Sequence, residues 1–240
     1  MTARVIEICV ADAASLSAAI VGGADRIELC SALEMGGLTP SPGLMRIAAR
    51  APIPVYAMVR PRSGDFVFGA GDFDVMRAEI DAVRAAGLAG VVLGASQVNG
   101  ELDAEMLAHL VAHADGLGVA LHRAIDLVPD ITDAVNIAVE LGFQRILTSG
   151  GAETALAGVA GIATALAAAR GRIVIMAGSG ITPAALGALL EQLPLTEVHG
   201  AAALPQPTEG ADAVRLGFAA ASRRVTDAET VAALKRILQR

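Results

Sequence analysis

The 240-residue sequence predicts an α/β protein that folds as a single (β/α)8 barrel, or TIM barrel, over residues 1–240. Three observations lead to this prediction. Eight short apolar segments alternate with helical segments, the length is typical of one barrel, and no GxGxxG turn follows the first segment. The functional site of such a barrel lies at the carboxyl ends of its strands.

Each predicted strand is a short aliphatic run that ends in polar residues or glycine. The eight strands are predicted at residues 5–10, 26–30, 54–59, 90–94, 118–121, 145–148, 173–177 and 197–200. Because parallel strands of one barrel end at the same side, the polar residues that follow them are expected to meet there.

The predicted helices are marked by capping residues and by apolar periodicity. Asp12, Ser41 before Pro42, and Thr182 before Pro183 are typical helix starts. Predicted helices include residues 13–21, 72–86, 103–114, 130–141 and 227–238, and eight helices are expected in all. A less regular segment is expected between the last strand and the last helix.

Composition limits the class of protein and its partners. With 54% hydrophobic but only 2% aromatic residues, the core must be built from small aliphatic side chains. The net charge of −7 argues against nucleic acid as a partner. No long apolar run or signal-peptide pattern is found, so we expect a cytoplasmic protein with no membrane partner and with free thiols.

A four-residue pattern occurs twice, as residues 6–9 and 27–30, and the two glutamates are separated by 28 − 7 = 21 positions. Side chains alternate along a strand, so Glu7 shares a face with Cys9, and Glu28 shares one with Cys30. Burying a carboxylate in an apolar strand costs free energy unless the carboxylate is paired, so an unpaired one is expected to have a functional role. The pattern indicates a site; the alternative is a structural ion pair with Arg60 or a histidine.

Strand parity predicts a ring of acidic and basic groups at the barrel mouth. The candidate catalytic residues of this ring are Glu7, Glu28, Arg60, His122 and His199. Asp126, on a loop just above the ring, is a sixth catalytic candidate. Two carboxylates held close together do not both ionise freely, so one of them could act as an acid. A histidine adds a group that titrates near neutral pH.

Two glycine turns follow consecutive strands and suggest an anion site. The candidate anion-binding residues are Arg62, Thr148, Ser149, Gly150, Gly151, Gly178, Ser179 and Gly180. Backbone N–H groups in such turns, one of them at a helix start, would suit a phosphate or carboxylate. The alternative is that the glycines serve only the tight turns, which require positive φ.

The chain resembles the CutC family over nearly its whole length. The resemblance is carried by residues 28–30, 36–41, 60–62, 64–66, 122–124 with Asp126, 147–150, 175–178 and 197–199. It implies a cytoplasmic barrel that forms a homo-oligomer, a dimer or a tetramer, and that is associated with copper homeostasis and copper(I) binding.

Copper(I) prefers thiolate and thioether ligands, so Cys9 and Cys30 are the candidate metal ligands, with Met35 or Met58 within possible reach. The alternative is that both cysteines are buried thiols without a metal, as free cysteines often are.

Two hypotheses for function therefore stand. The first is a copper homeostasis protein that uses the two cysteines. The second is a lyase or isomerase that applies acid–base chemistry to a small anionic ligand bearing a phosphate or carboxylate at the mouth.

Overall fold

The structure is a computed structural model, and it describes residues 4–239. The eight barrel strands are β1 Val5–Val10, β2 Arg26–Leu29, β3 Val55–Met58, β4 Gly90–Leu93, β5 Gly118–Leu121, β6 Arg145–Thr148, β7 Val174–Ala177 and β8 Glu197–Gly200. They are parallel and pair in chain order, and β8 closes on β1. The predicted (β/α)8 barrel is confirmed, and the predicted strands differ from the observed ones only at their ends.

The helices are α1 Ala13–Val21, α2 Pro42–Ala48, α3 Ala70–Ala86, α4 Ala104–His113, α5 Ile131–Glu140, α6 Val159–Ala169, α7 Pro183–Gln192, α8 Ala211–Arg215 and α9 Ala228–Leu238. The predicted caps hold, since the side chains of Asp12, Ser41 and Thr182 accept hydrogen bonds from the first turns of α1, α2 and α7. The short α8 is additional to the eight helices of the barrel.

The segment after β8 is more regular than the sequence indicates. Residues of β9 Ala203–Pro207 and β10 Ser222–Thr226 form a two-stranded antiparallel ribbon that flanks α8. The ribbon is mostly exposed, so it lacks the apolar alternation by which a half-buried strand is recognised. Its base contributes to the rim of the barrel.

Side chains of the strands divide into two sets. Outward residues such as Ile6, Ile8 and Ile27 pack against the helices in the main apolar core. A separate inner cluster contains Cys30, Tyr56, Met58, Val92 and Ala120. This division is the alternation expected of a barrel strand.

The amino-terminal end of the barrel is filled by Tyr56 between two arginines. The Tyr56 ring lies 5.7 Å from the Cζ atom of Arg26 and 4.9 Å from that of Arg145. Its hydroxyl donates to the Oε1 atom of Gln144 at 3.2 Å. A side chain at Gly90 would overlap the ring, so that position requires glycine.

We expect Gly90→Ala to destabilise the protein by about 3 kcal/mol, the upper part of the range for overpacking a close-packed interior. Urea denaturation measures the change. Gly187→Ala is the matched control, because Gly187 lies within α7 with open space around it. That control should be neutral or stabilising by about 0.5–1 kcal/mol. Equal effects of the two substitutions would contradict this account of the barrel base.

Candidate functional site

A cavity of about 720 Å³ opens at the carboxyl ends of the strands. Of the five residues predicted to ring the mouth, Glu28, Arg60, His122 and His199 line this cavity. Glu7 lies beneath the floor, where it is 1% exposed. The remaining wall is largely apolar and includes Leu33, Phe66, Leu147 and Ile181, while Leu204, Pro205 and Arg224 of the ribbon form part of the rim.

The repeated pattern in β1 and β2 is not paired in register. The backbone places Glu7 opposite Arg26, and Cys9 opposite Glu28. This offset is the stagger that closing a barrel requires. It puts the two glutamates at different depths, Glu28 at the cavity floor and Glu7 below it.

Glu7 belongs to a chain of buried charges. Its Oε2 atom accepts from Nε of Arg26, and Nη2 of the same arginine donates to Glu197. Glu197 also accepts from Nε of Arg145 at 3.3 Å. The sequence analysis did not predict Arg26, Glu197 or Arg145 as partners of this site. Arg26 lies two residues before Glu28 on the same strand, so strand alternation could have identified it as an inward residue.

His199 connects this charge chain to the cavity floor. Its Nδ1 atom lies 2.8 Å from Oε1 of Glu7, and its Nε2 atom lies 3.8 Å from Oε2 of Glu28. Burial alone raises the pKa of Glu7, but the hydrogen bond with His199 and the charge of Arg26 hold it at about 2. Glu7 is therefore an ionised carboxylate that orients the histidine ring.

The pKa values of His199 and Glu28 both lie above their ordinary values. Burial alone lowers the pKa of His199, but the carboxylates of Glu28 and Glu7 on either side of the ring raise it. Burial, together with the negative charge of Glu7, raises the pKa of Glu28. Each of the two groups at the floor therefore keeps its proton to a higher pH than a free side chain of its kind.

Cys9, Glu28 and His199 form a cluster of donor atoms at the floor. One donor atom from each of the three lies within 4.8 Å of the other two, and all three residues are buried. A thiol, an imidazole and a carboxyl group at this spacing are able to share one metal ion.

Cys30 is not a member of this cluster. It is fully buried, its thiol donates to Oε2 of Glu28 at 3.4 Å, and burial together with the charge of Glu28 raises its pKa. A thiol that resists ionisation is a poor metal ligand. The metal ligands predicted from the sequence, Cys9 and Cys30, stay a prediction, and of the two it is Cys9 that lies in the cluster with His199 and Glu28. Met35 is half exposed and Met58 packs near Cys30.

Arg60 is held in the cavity wall by neutral groups. Its Nη1 atom donates to the carbonyls of Met35 at 2.8 Å and Gly37 at 3.1 Å, and Nη2 donates to that of Gly64 at 2.8 Å. Its Cζ atom lies 4.8 Å from the centre of the Phe66 ring. Within residues 4–239 no carboxylate pairs with this guanidinium, which is 5% exposed.

His122 faces the cavity as a neutral imidazole. Its Nδ1 atom accepts from the N–H of Ala124 at 3.1 Å, so the ring proton is on Nε2. Burial and the charge of Arg60 lower the pKa of His122 to about 3. The ring lies so close to Gly94 that a side chain there would overlap it.

Asp126 occupies one of the two predicted anion sites. Its carboxylate accepts from the N–H groups of Ser149 at 3.0 Å and Gly151 at 3.1 Å, and from Oγ1 of Thr148 at 2.5 Å. It also pairs with Arg123. In this structure the protein's own carboxylate accepts from these donors, so Asp126, Thr148, Ser149, Gly150 and Gly151 together build the loop. Anion binding at the turn 149–151 stays a prediction.

The other predicted anion-binding residues divide between cavity and surface. Ser179 and Gly180 line the cavity with positive φ, whereas the N–H of Gly178 donates to the carbonyl of Thr148 in the sheet. Arg62 is 40% exposed by side chain and pairs with Asp65 and Asp72, each at 3.1 Å. Its charge is therefore neutralised outside the cavity wall.

We expect His122→Asn to weaken the dependence of stability on pH. An asparagine oxygen can replace Nδ1 as the acceptor for Ala124 but does not titrate. The pKa of His122 is about 3 in the fold and 6.5 ordinarily. Below pH 6.5 the unfolded chain binds a proton that the folded chain does not, so stability falls as pH falls, by up to about 1.4 kcal/mol per pH unit.

Urea denaturation of wild type and variant at a series of pH values between these two pKa values measures the difference. Contributions from Glu7, Glu28 and His199 are present in both proteins and cancel in the comparison. Parallel curves for the two proteins would show that His122 is not held neutral by the fold.

No helix within residues 4–239 has the length and apolar character that crossing a membrane requires.

Comparison with known proteins identifies the family. The sequence model of the CutC family matches residues 4–204. Family protein CutC of Sinorhizobium medicae is 57% identical over 99% of this chain and 97% of its own, and that of Rhizobium meliloti is 56% identical over 96% and 94%. A crystal structure from Streptococcus agalactiae, described as a copper homeostasis protein CutC, is 29% identical and covers 82% of this chain and 98% of its own, with a TM-score of 0.79. The chain belongs to the CutC family.

Proposed function

We propose that this protein takes part in copper homeostasis by binding copper(I) at the floor of the barrel cavity, with Cys9 and His199 as the two principal ligands. The observation that carries this proposal is the cluster of Cys9, Glu28 and His199, with donor atoms mutually within 4.8 Å. Copper is chosen as the metal because the chain belongs to the CutC family and the Streptococcus agalactiae relative is described as a copper homeostasis protein.

The donor set suits copper(I) through its sulfur and its imidazole. Thiolate is a soft ligand, and imidazole is a common ligand of copper. A carboxyl oxygen is a hard ligand, so Glu28 is assigned a weaker third position. The raised pKa of Glu28 is consistent with that assignment.

The position of Glu7 supports His199 as a ligand. Histidines that bind metals usually donate their second ring nitrogen to a carboxylate or carbonyl, which fixes the ring and raises its basicity. Glu7 accepts this hydrogen bond at 2.8 Å, so the Nε2 atom is turned toward Glu28 and Cys9. Binding at Nε2 would displace a proton, so copper affinity is expected to rise with pH.

The cluster is also compatible with zinc, which binds cysteine, histidine and carboxylate together. Zinc is therefore the competing metal in any titration. Under reducing conditions the proposal requires a preference for copper(I) over zinc.

We expect Cys9→Ser to weaken copper(I) binding by about 100-fold or more, because it removes the soft ligand. A competition titration against a chromogenic copper(I) chelator in reducing buffer measures the affinity. Cys30→Ser is the matched control, since it removes a thiol that directly follows the neighbouring strand and is not part of the cluster. Its affinity should stay within a few-fold of wild type.

Two results would overturn this assignment. If Cys30→Ser is as damaging as Cys9→Ser, the two-thiol pair expected from the sequence is the copper site. If neither substitution changes the affinity, copper is bound elsewhere and the cluster has another role.

The second hypothesis, an acid–base lyase or isomerase, stays a candidate because of one arrangement. His199 lies between an ionised carboxylate, Glu7, and a carboxyl group of raised pKa, Glu28, which faces the cavity. Pairs of groups whose pKa values are shifted in opposite directions are typical of proton-transfer sites. That hypothesis requires an organic ligand in the cavity.

A further inference from the structure

Three buried polar atoms that have no hydrogen-bond partner among the described residues belong to residues that line the cavity. They are Nε of Arg60, Nε2 of His122 and Oε1 of Glu28. All three residues line the same cavity and are at least nine-tenths buried. Folded proteins pair nearly all buried polar groups, so three orphans around one cavity indicate a missing partner.

The charge of Arg60 also lacks a partner. Its other N–H groups donate to three backbone carbonyls, which are dipoles and not counter-ions. By contrast, Arg26 on β2 pairs with two carboxylates and Arg62 on the mouth loop pairs with two others. A buried positive charge without a counter-ion is costly, so an anion is the expected complement.

The hydrogen-bond pattern at His122 makes its free nitrogen a donor. Because Nδ1 accepts from Ala124, the proton of the neutral ring lies on Nε2. Phe66 is adjacent to both donors, since its ring centre lies 4.8 Å from the Cζ atom of Arg60 and 4.8 Å from the His122 ring centre. The side chains of Arg60 and His122 therefore lie beside the same aromatic ring of the wall.

We propose that the cavity binds a small organic carboxylate, whose two oxygens accept hydrogen bonds from Nε of Arg60 and Nε2 of His122. One positive charge and two separate N–H donors match the single charge and two oxygens of a carboxylate. A phosphate dianion has more charge and more acceptor oxygens than these groups satisfy. Glu28 Oε1 is left to meet a polar group of the same ligand, such as a hydroxyl.

The body of the ligand is apolar and short. Leu33, Phe66, Leu147 and Ile181 are among the apolar residues of the remaining wall, and a cavity of about 720 Å³ is large enough for a small metabolite. The two contacts to the carboxylate stand apart from copper binding, because neither Arg60 nor His122 belongs to the metal cluster, and Glu28 is the one residue that both sites share. The proposed anion site is also separate from the turn 149–151, whose N–H groups donate to Asp126.

The test is a fluorine NMR titration of the wild-type protein with trifluorobutyrate, which has a carboxylate and a short apolar tail. We expect saturable binding with a Kd on the order of 1–10 mM, since a ligand with so few atoms binds weakly. Trifluorobutyramide, which has the same shape without the charge, should show no saturable binding. Absence of saturable binding by trifluorobutyrate, or equal binding of the amide, would overturn the proposal.

Variants locate the binding site. Arg60→Gln and His122→Asn should each weaken trifluorobutyrate binding by about 10-fold or more, because each removes a donor to a charged group. Arg62→Gln is the matched control and should change the affinity by less than about 3-fold, since Arg62 is exposed and already paired. Equal losses in Arg60→Gln and Arg62→Gln would show general electrostatic attraction and overturn the assignment.

A measurement on the wild-type protein covers the case in which Arg60→Gln does not fold. The Nε–H resonance of Arg60 should shift on saturation with trifluorobutyrate, while that of Arg62 should stay in place; the reverse pattern would overturn the proposal. Inorganic phosphate that displaces the probe at lower concentration than acetate would show a phosphate site instead. The titration contains no copper, so its outcome is separate from the outcome for copper binding.

Discussion

A chain of alternating charges enclosed by the barrel is the interaction on which the site depends. Arg145, Glu197, Arg26, Glu7 and His199 follow one another from the base of the barrel to the cavity floor. Each member has a partner of opposite charge. Replacing one of them with a neutral residue would leave a buried charge unpaired and reduce the free energy of unfolding by about 3–5 kcal/mol. The chain fixes the His199 ring, and the ring in turn defines where a metal or a proton at the floor can be held.

The fold could be predicted from the sequence because barrel strands have a strong local signal. Short aliphatic runs, capped helices and polar strand ends gave eight units in the correct order, and β8 was predicted with its observed bounds. The ribbon of β9 and β10 was not predicted, because its residues are held by pairing with each other and by few buried contacts. Strand pairing of that kind is tertiary information, which apolar periodicity does not contain.

For the site, the sequence predicts which strand residues point into the barrel, but it does not predict how residues of different strands are placed relative to one another. Parity identified Glu28, His122 and His199 as inward residues, but it did not give the stagger between strands that sets Cys9 opposite Glu28. It also did not show that Asp126 reaches from the loop after β5 to the turn after β6. The strand stagger and the reach of Asp126 are both relations between separate segments of the chain. The first is fixed by barrel closure and the second by side-chain length.

The ribbon at the rim has a consequence for how the family can diversify. The family match ends at residue 204, and the Streptococcus agalactiae structure covers 98% of its own chain but 82% of this one. Part of the cavity entrance, including Pro205 and Arg224, therefore lies beyond the stretch that the family model matches, although the Sinorhizobium medicae relative aligns over 99% of this chain. A later insertion or replacement in this segment changes the shape and charge of the entrance while the buried floor is left intact. Evolution can in this way alter what enters the cavity independently of the chemistry beneath it.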